Sequence, residues 1–187
     1  MKLFYIRHAP TEANVAGEIV KNYNEYDIKD FDREEWFKKV GNHLPKNFRL
    51  FTSPTKRCQQ TAKALFPGKE YKVVEELEEF DVSELTNAGL KFWEIDEKTF
   101  NEKVCLCKYQ VEERWNDALV EINSDLWDNN GDVAVVIGHG FYGRLVRSIY
   151  ERDEDSIFNI LNSKNFQFKN LDMMEIERCQ VQKVYRS

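Results

Sequence analysis

Two histidines, His8 and His139, each stand where an apolar run of the sequence gives way to polar residues. The first lies in Arg7-His8-Ala9-Pro10-Thr11, after the apolar residues 3–6. The second follows Val135-Val136-Ile137-Gly138 and precedes Gly140, where the lack of a side chain lets backbone or ligand come close. A second arginine, Arg57, falls in the first turn of a helix expected to start at Ser53-Pro54, a favoured cap followed by a favoured first helical residue. Helix starts attract anions through free N–H groups and the dipole. A planar guanidinium adds two parallel donors to phosphate oxygens. Phosphoryl transfer needs mainly positioning and electrostatic stabilisation, and two imidazoles with two guanidiniums supply both without a metal ion.

These residues need elements that bring them together. Residues 2–6, 48–52, 71–74 and 132–137 read as buried strands rich in β-branched and aromatic side chains. Cys58, Thr61, Ala62 and Leu65 recur at helical spacing before Pro67-Gly68 ends that helix. Residues 109–127 carry an apolar stripe of Val111, Trp115, Ala118, Leu119, Ile122 and Leu126, closed by Asn129-Asn130-Gly131. A further helix follows Gly140 with Leu145, Val146 and Ile149; residues 32–44 and 153–162 are also read as helices, and 166–185 as two short strands around Arg178-Cys179. Strands alternating with helices predict an α/β domain with a mostly parallel sheet, in which ligands bind beyond the carboxyl ends of the strands. Arg7-His8, residues 53–57 and His139-Gly140 all fall at such ends.

Composition narrows the function further. The 187 residues fit one domain, 1–187, with no repeat or Gly/Ser/Pro-rich linker. A net charge of −6 argues against nonspecific nucleic-acid or anionic-membrane binding, so an anionic ligand needs a local cluster of cations. The apolar run at the N-terminus is too short for a signal peptide or membrane span. Cys58, Cys105, Cys107 and Cys179 show no disulfide framework, which fits reduced thiols in a cytoplasmic protein, and the C-x-C pair lacks partners for a zinc site.

Three stretches, Arg7 to Thr11, Ser53-Pro54-Thr55-Lys56-Arg57-Cys58-Gln59-Gln60-Thr61-Ala62 and Gly138-His139-Gly140, together resemble the signatures of the histidine phosphatase superfamily, the phosphoglycerate mutase-like proteins. They occur in the family's order, and the resemblance extends from residue 2 to about residue 150. It implies a three-layer α/β/α sandwich with a mostly parallel central sheet. It also implies a phosphate pocket of Arg7, His8, Arg57 and His139, with His8 as nucleophile and a phosphohistidine intermediate. Asn14 is placed as a phosphate contact, with Thr11 and Gly140 as further substrate contacts. Neighbouring arginines disfavour a proton on His8 and so keep the nucleophile neutral. The leaving-group acid of the monoesterase branch registers on Glu79, with Glu78 or Asp81 as alternatives if the register slips. The substrate expected is a small phosphorylated metabolite, with no cofactor.

The sequence departs from the family pattern at Ser83, where glycine is usual, at Leu85, where tryptophan is usual, and in residues 15–44, which often border the substrate. A phosphoglycerate mutase is disfavoured by the lack of an E-R-H-Y-G stretch. A phosphohistidine-specific protein phosphatase does without the acid, and a non-catalytic phospho-ligand binder has no need of all four pocket residues. His43 reads as a surface or helix-end residue, Arg144 and Arg147 as surface ion pairs, and Trp115, Trp127 and Phe141 as core. Trp36, Phe37, Phe92 and Trp93 stand near segments that could roof the pocket.

Overall fold

The computed structural model describes residues 1–12, 14, 26–81, 95–165, 167–177 and 180–187. Ser83, Leu85, Phe92, Trp93, Cys179 and all of residues 15–25 therefore lie outside the described residues. Six strands form one sheet: Lys2–Arg7 (β1), Arg49–Thr52 (β2), Tyr71–Val73 (β3), Val133–Gly138 (β4), Met173–Glu177 (β5) and Gln180–Tyr185 (β6). Their order is β3-β2-β4-β1-β5-β6. The first four strands are mutually parallel, and β5 and β6 add an antiparallel edge.

Both faces of the sheet are covered, as near-continuous apolar strands require. Alternate residues of β1 and β4 face opposite sides. Leu3, Tyr5, Ala134 and Val136 pack with Trp115, Ile122, Leu145 and Ile160. Phe4, Ile6, Val133, Val135 and Ile137 pack with Trp36, Cys58, Ala62 and Leu65. The helices of the second face are Arg33–Lys39 (α1) and Lys56–Leu65 (α2). Those of the first are Glu97–Val104 (α3), Lys108–Asp128 (α4), Gly140–Glu151 (α5) and Ile157–Asn162 (α6). The three-layer α/β/α sandwich expected from the sequence is therefore the fold observed.

Several local expectations need correction. Thr55, not Ser53, stands at the N-cap of α2 and makes no side-chain cap bond; the Ser53 hydroxyl accepts from Thr55 N–H at 3.4 Å and meets the His139 ring at 2.7 Å. Helix α3 was not anticipated; Asp96 caps it by accepting from the Thr99 N–H, and Phe100 is its one buried residue, too little for a periodic signal. Trp127 is 85% exposed rather than core, since it falls on the outer face of α4 beyond the stripe. Trp36 is buried in the second core, its indole N–H donating to Leu171 O at 2.9 Å, and does not roof a pocket. His43 stacks on Tyr185 at 4.2 Å, a surface role as expected. Among the described residues no helix is long and apolar enough to cross a membrane.

Candidate active site

Neighbouring parallel strands β1 and β4 run in register, Arg7 beside Gly138, so the residues that follow them, His8 and His139, emerge side by side. His8 N–H donates to Gly138 O at 2.9 Å. The two rings lie 5.5 Å apart, centroid to centroid, at 64°. From the other flank of β4, strand β2 delivers Ser53 and then α2, whose second residue is Arg57. His8, Arg57 and His139 are fully buried.

The hydrogen bonds fix the chemistry of each ring. His8 Nδ1 lies 2.7 Å from Ala9 O, and a carbonyl only accepts, so Nδ1 carries the hydrogen and Nε2 holds the lone pair. That lone pair accepts from Arg57 Nε at 3.3 Å. His139 has the opposite tautomer: its Nδ1 accepts from Arg57 Nη2 at 2.9 Å, leaving Nε2–H to donate to Ser53 Oγ at 2.7 Å. One guanidinium thus bridges both imidazoles. Burial, and then Arg57 and Arg7, hold His8 well below the usual histidine range. His139 is lowered in the same way, by burial first and the surrounding cations after it. Both rings are therefore neutral, and His8 presents a lone pair as a nucleophile must.

Glycines make room for these groups. A Cβ on Gly138 would stand 2.2 Å from the Tyr5 hydroxyl, which accepts from His139 N–H at 2.8 Å. A Cβ on Gly140 would stand 2.8 Å from both Cζ and Nε of Arg7. The predicted role of Gly140 is thereby refined: it admits the Arg7 guanidinium, whose Nη1 donates to Phe168 O at 2.6 Å. The Cys58 thiol packs 3.6 Å from His139 Nε2, and burial pushes its pKa up to about 12, so it stays neutral there.

Of the three carboxyl candidates, Glu79 is the one at the start of α5. Its Oε1 accepts from Tyr142 N–H at 3.0 Å and Phe80 N–H at 3.2 Å, and its Oε2 from Phe141 N–H at 3.3 Å. Burial raises its pKa, with Arg57 and those N–H groups opposing. Glu78 contributes a backbone carbonyl to Arg114, and Asp81 is exposed. Asn14 Oδ1 accepts from Thr11 N–H and Thr11 Oγ1, each at 3.2 Å. The buried Thr11 hydroxyl is thus used to brace Asn14.

Two residues of importance to this geometry were not anticipated. Asn170 Nδ2 donates to His8 O at 3.0 Å and to Asn14 Oδ1 at 3.1 Å, joining the His8 backbone to Asn14. Asp172 O accepts from Arg7 N–H at 3.1 Å, while the Asp172 carboxylate is paired with Arg186 at 2.6 Å. Both sit in the connection before β5, where no sequence motif marks them; only the register of the antiparallel β1–β5 pair brings them beside Arg7 and His8.

Known structures share this fold at low identity. Phosphoserine phosphatase from Entamoeba histolytica, solved with 3-phosphoglyceric acid, superimposes with a TM-score of 0.68 at 20% identity, over 100% of this chain and 97% of that one. A mutant of the same enzyme with phosphoserine gives 0.70 at 17% identity, covering 98% and 95%. A putative α-ribazole-5′-phosphate phosphatase from Escherichia coli gives 0.63 at 17% identity, covering 100% and 97%. Comparison with curated protein sequences gives no significant match. The family model for the histidine phosphatase superfamily, branch 1, matches residues 3–183, nearly the whole length that carries the described pocket, and the chain belongs to that superfamily.

Proposed function

We propose that the protein is a phosphoric monoester hydrolase acting on a small phosphorylated metabolite in the cytoplasm through a phosphohistidine on His8. The observation that carries this reading is the neutral His8, oriented by Ala9 O, with its lone pair directed at a buried guanidinium. In the first step Nε2 attacks phosphorus and the P–O ester bond breaks, with Glu79 giving its proton to the departing oxygen. Arg7, Arg57 and His139 surround the phosphoryl oxygens as charge spreads onto them. In the second step water attacks the phosphohistidine, the P–N bond breaks, and the Glu79 carboxylate takes the water's proton, so phosphate leaves and the enzyme is restored.

The raised Glu79 pKa supports a carboxyl that holds a proton for donation, and burial is its main cause. A carboxyl so placed favours an alcohol-releasing phosphatase over a phosphohistidine-specific one. The small phosphorylated acids bound by the Entamoeba enzyme support a ligand of similar size.

Turnover of nitrophenyl phosphate in EDTA, with the His8→Ala protein beside it, tests the reading. The substitution is expected to cost at least about 10³-fold in kcat. Labelled phosphate from the wild-type reaction should survive an alkaline quench on the protein, as phosphohistidine does. Turnover that persists in His8→Ala, or no alkali-stable label, overturns the proposal.

A further inference from the structure

Of the four large hydrophobic side chains exposed among the described residues, three belong to α4: Tyr109 at 68%, Val120 at 69% and Trp127 at 85%. Each helical residue turns the chain by about 100°, so steps of about eleven and about seven residues return to one side within about 20°. The three therefore form a single stripe, opposite the Val111, Ala118 and Ile122 side that is buried. Between them Glu113, Asn116 and Asn123 are exposed as well. From Tyr109 to Trp127 these positions follow at alternating intervals of four and three, the spacing at which one helix presents a seam to another.

The seam is complementary to itself when turned end for end. Against a second copy running the opposite way, Tyr109 meets Trp127, Glu113 meets Asn123 and Asn116 meets Val120, each pairing made twice about a two-fold axis near Ala118. Charge selects this orientation over the parallel one. Glu112 and Glu113 lie in the first half of the exposed face, and the uncharged Asn123 and Ser124 in the second. A parallel pair would set Glu113 against Glu113. The antiparallel pair holds those two carboxylates about 15 Å apart along the axis, near two Debye lengths at physiological ionic strength, and gives each an amide to face. Glu121 and Asp125, which flank the seam, are already paired with Lys72 and Arg49, both at 2.9 Å.

We propose that the outer face of α4 binds a second copy of this chain, as an antiparallel two-helix seam closed at each end by a Tyr109–Trp127 contact. The four aromatic side chains give up roughly 600 Å² of surface on pairing. The rest of a seam about 31 Å long brings the total to about 1,000 Å², the lower limit of a specific contact. A contact of that size is reversible, dissociating at about 1 to 100 μM.

Sedimentation equilibrium of the full chain from about 1 to 500 μM reads the dissociation constant directly. Trp127→Ala removes both aromatic contacts and should weaken the dimer at least about 30-fold. Its urea midpoint in dilute, monomeric protein should be unchanged, because the side chain is exposed. Asn123→Lys sets an ammonium opposite Glu113 of the other copy twice over and should tighten the dimer roughly 2- to 30-fold, while Asn123→Glu should weaken it by a similar factor. A parallel pair would set residue 123 against itself, so both substitutions would weaken it. A chain that stays monomeric to the top of the range overturns the proposal and leaves the stripe to a different protein. A dimer indifferent to Trp127→Ala, an Asn123→Lys variant that fails to tighten, or a midpoint that falls in dilute Trp127→Ala protein overturns it equally.

Discussion

Substituting Gly140 by alanine separates the integrity of the fold from the placement of Arg7. The added Cβ would lie 2.8 Å from two atoms of the Arg7 guanidinium and 3.1 Å from Nη1. Carbon contacts become favourable at about 3.5 Å, so the guanidinium must retreat by roughly 0.7 Å. It cannot do so freely, because Nη1 is held by Phe168 O at 2.6 Å. A misplacement of about 1 Å in a positioning group costs about 10²-fold, so the expected loss in kcat/KM for nitrophenyl phosphate is roughly 10- to 100-fold. Stability should change little. The clash is with the end of a long side chain, and alanine gains up to about 1 kcal/mol over glycine in a helix. A net change within about 1 kcal/mol moves Tm by only about 2 to 4 °C in a domain of this size. A double-mutant cycle supplies the decisive number: in an Arg7→Ala background, adding Gly140→Ala should cost less than about threefold, because the residue it displaces is gone. Full activity in Gly140→Ala, or losses that multiply in the double variant, would refute the reasoning.

Glu79→Gln should lower kcat/KM for alkyl phosphates by roughly 10²- to 10⁴-fold and for nitrophenyl phosphate by under about tenfold, since nitrophenolate leaves without a proton; equal losses would remove Glu79 as the acid. Ser53→Ala deprives the buried His139 Nε2–H of its 2.7 Å acceptor and should cost about 1 to 3 kcal/mol of stability in urea titrations, together with activity. An unchanged midpoint would mean that Thr55 Oγ1, at 3.4 Å, replaces the acceptor fully. Stability should also fall with acidity. His8 and His139 both have folded pKa values below the ordinary 6.5, so the unfolded chain takes up protons that the folded protein refuses as the pH drops below that value. Each histidine contributes a loss of up to about 1.4 kcal/mol per pH unit, fully absent above the unfolded pKa. Glu79, raised by burial, works in the opposite sense, its contribution being lost as the pH rises through its folded pKa. Urea midpoints from pH 8 to 5.5 should therefore decline below about 6.5, and less steeply in His8→Ala; a flat profile in both would contradict neutral buried rings.

How much of this was legible beforehand depended on whether the signal was local. Strand β4 is a continuous apolar run, and its burial on both sides follows from that alone. The positions of His8 and His139 at strand ends were readable, and parallel pairing of the two strands converts those positions into contact. Ser53 reads as a cap because caps are a local preference; that its hydroxyl also receives the His139 N–H, from a strand end far along the chain, no local pattern shows. Asn170 and Asp172 escaped notice because their value comes from an antiparallel strand more than a hundred residues away. Arg144 reads as a surface ion pair from its place on a helix, whereas its Nη1 donates to the Leu161 carbonyl of the distant α6. Trp127 failed in the reverse direction, an aromatic that helical spacing alone could not assign to a face.

The Arg57 bridge between the two rings has one further consequence. Its N–H groups occupy the lone pairs on His8 Nε2 and His139 Nδ1 that would otherwise draw electrophiles or protons. Each ring's lone pair is thus capped by the same guanidinium, so reagents that modify histidine should react sluggishly with the protein despite its uncharged rings.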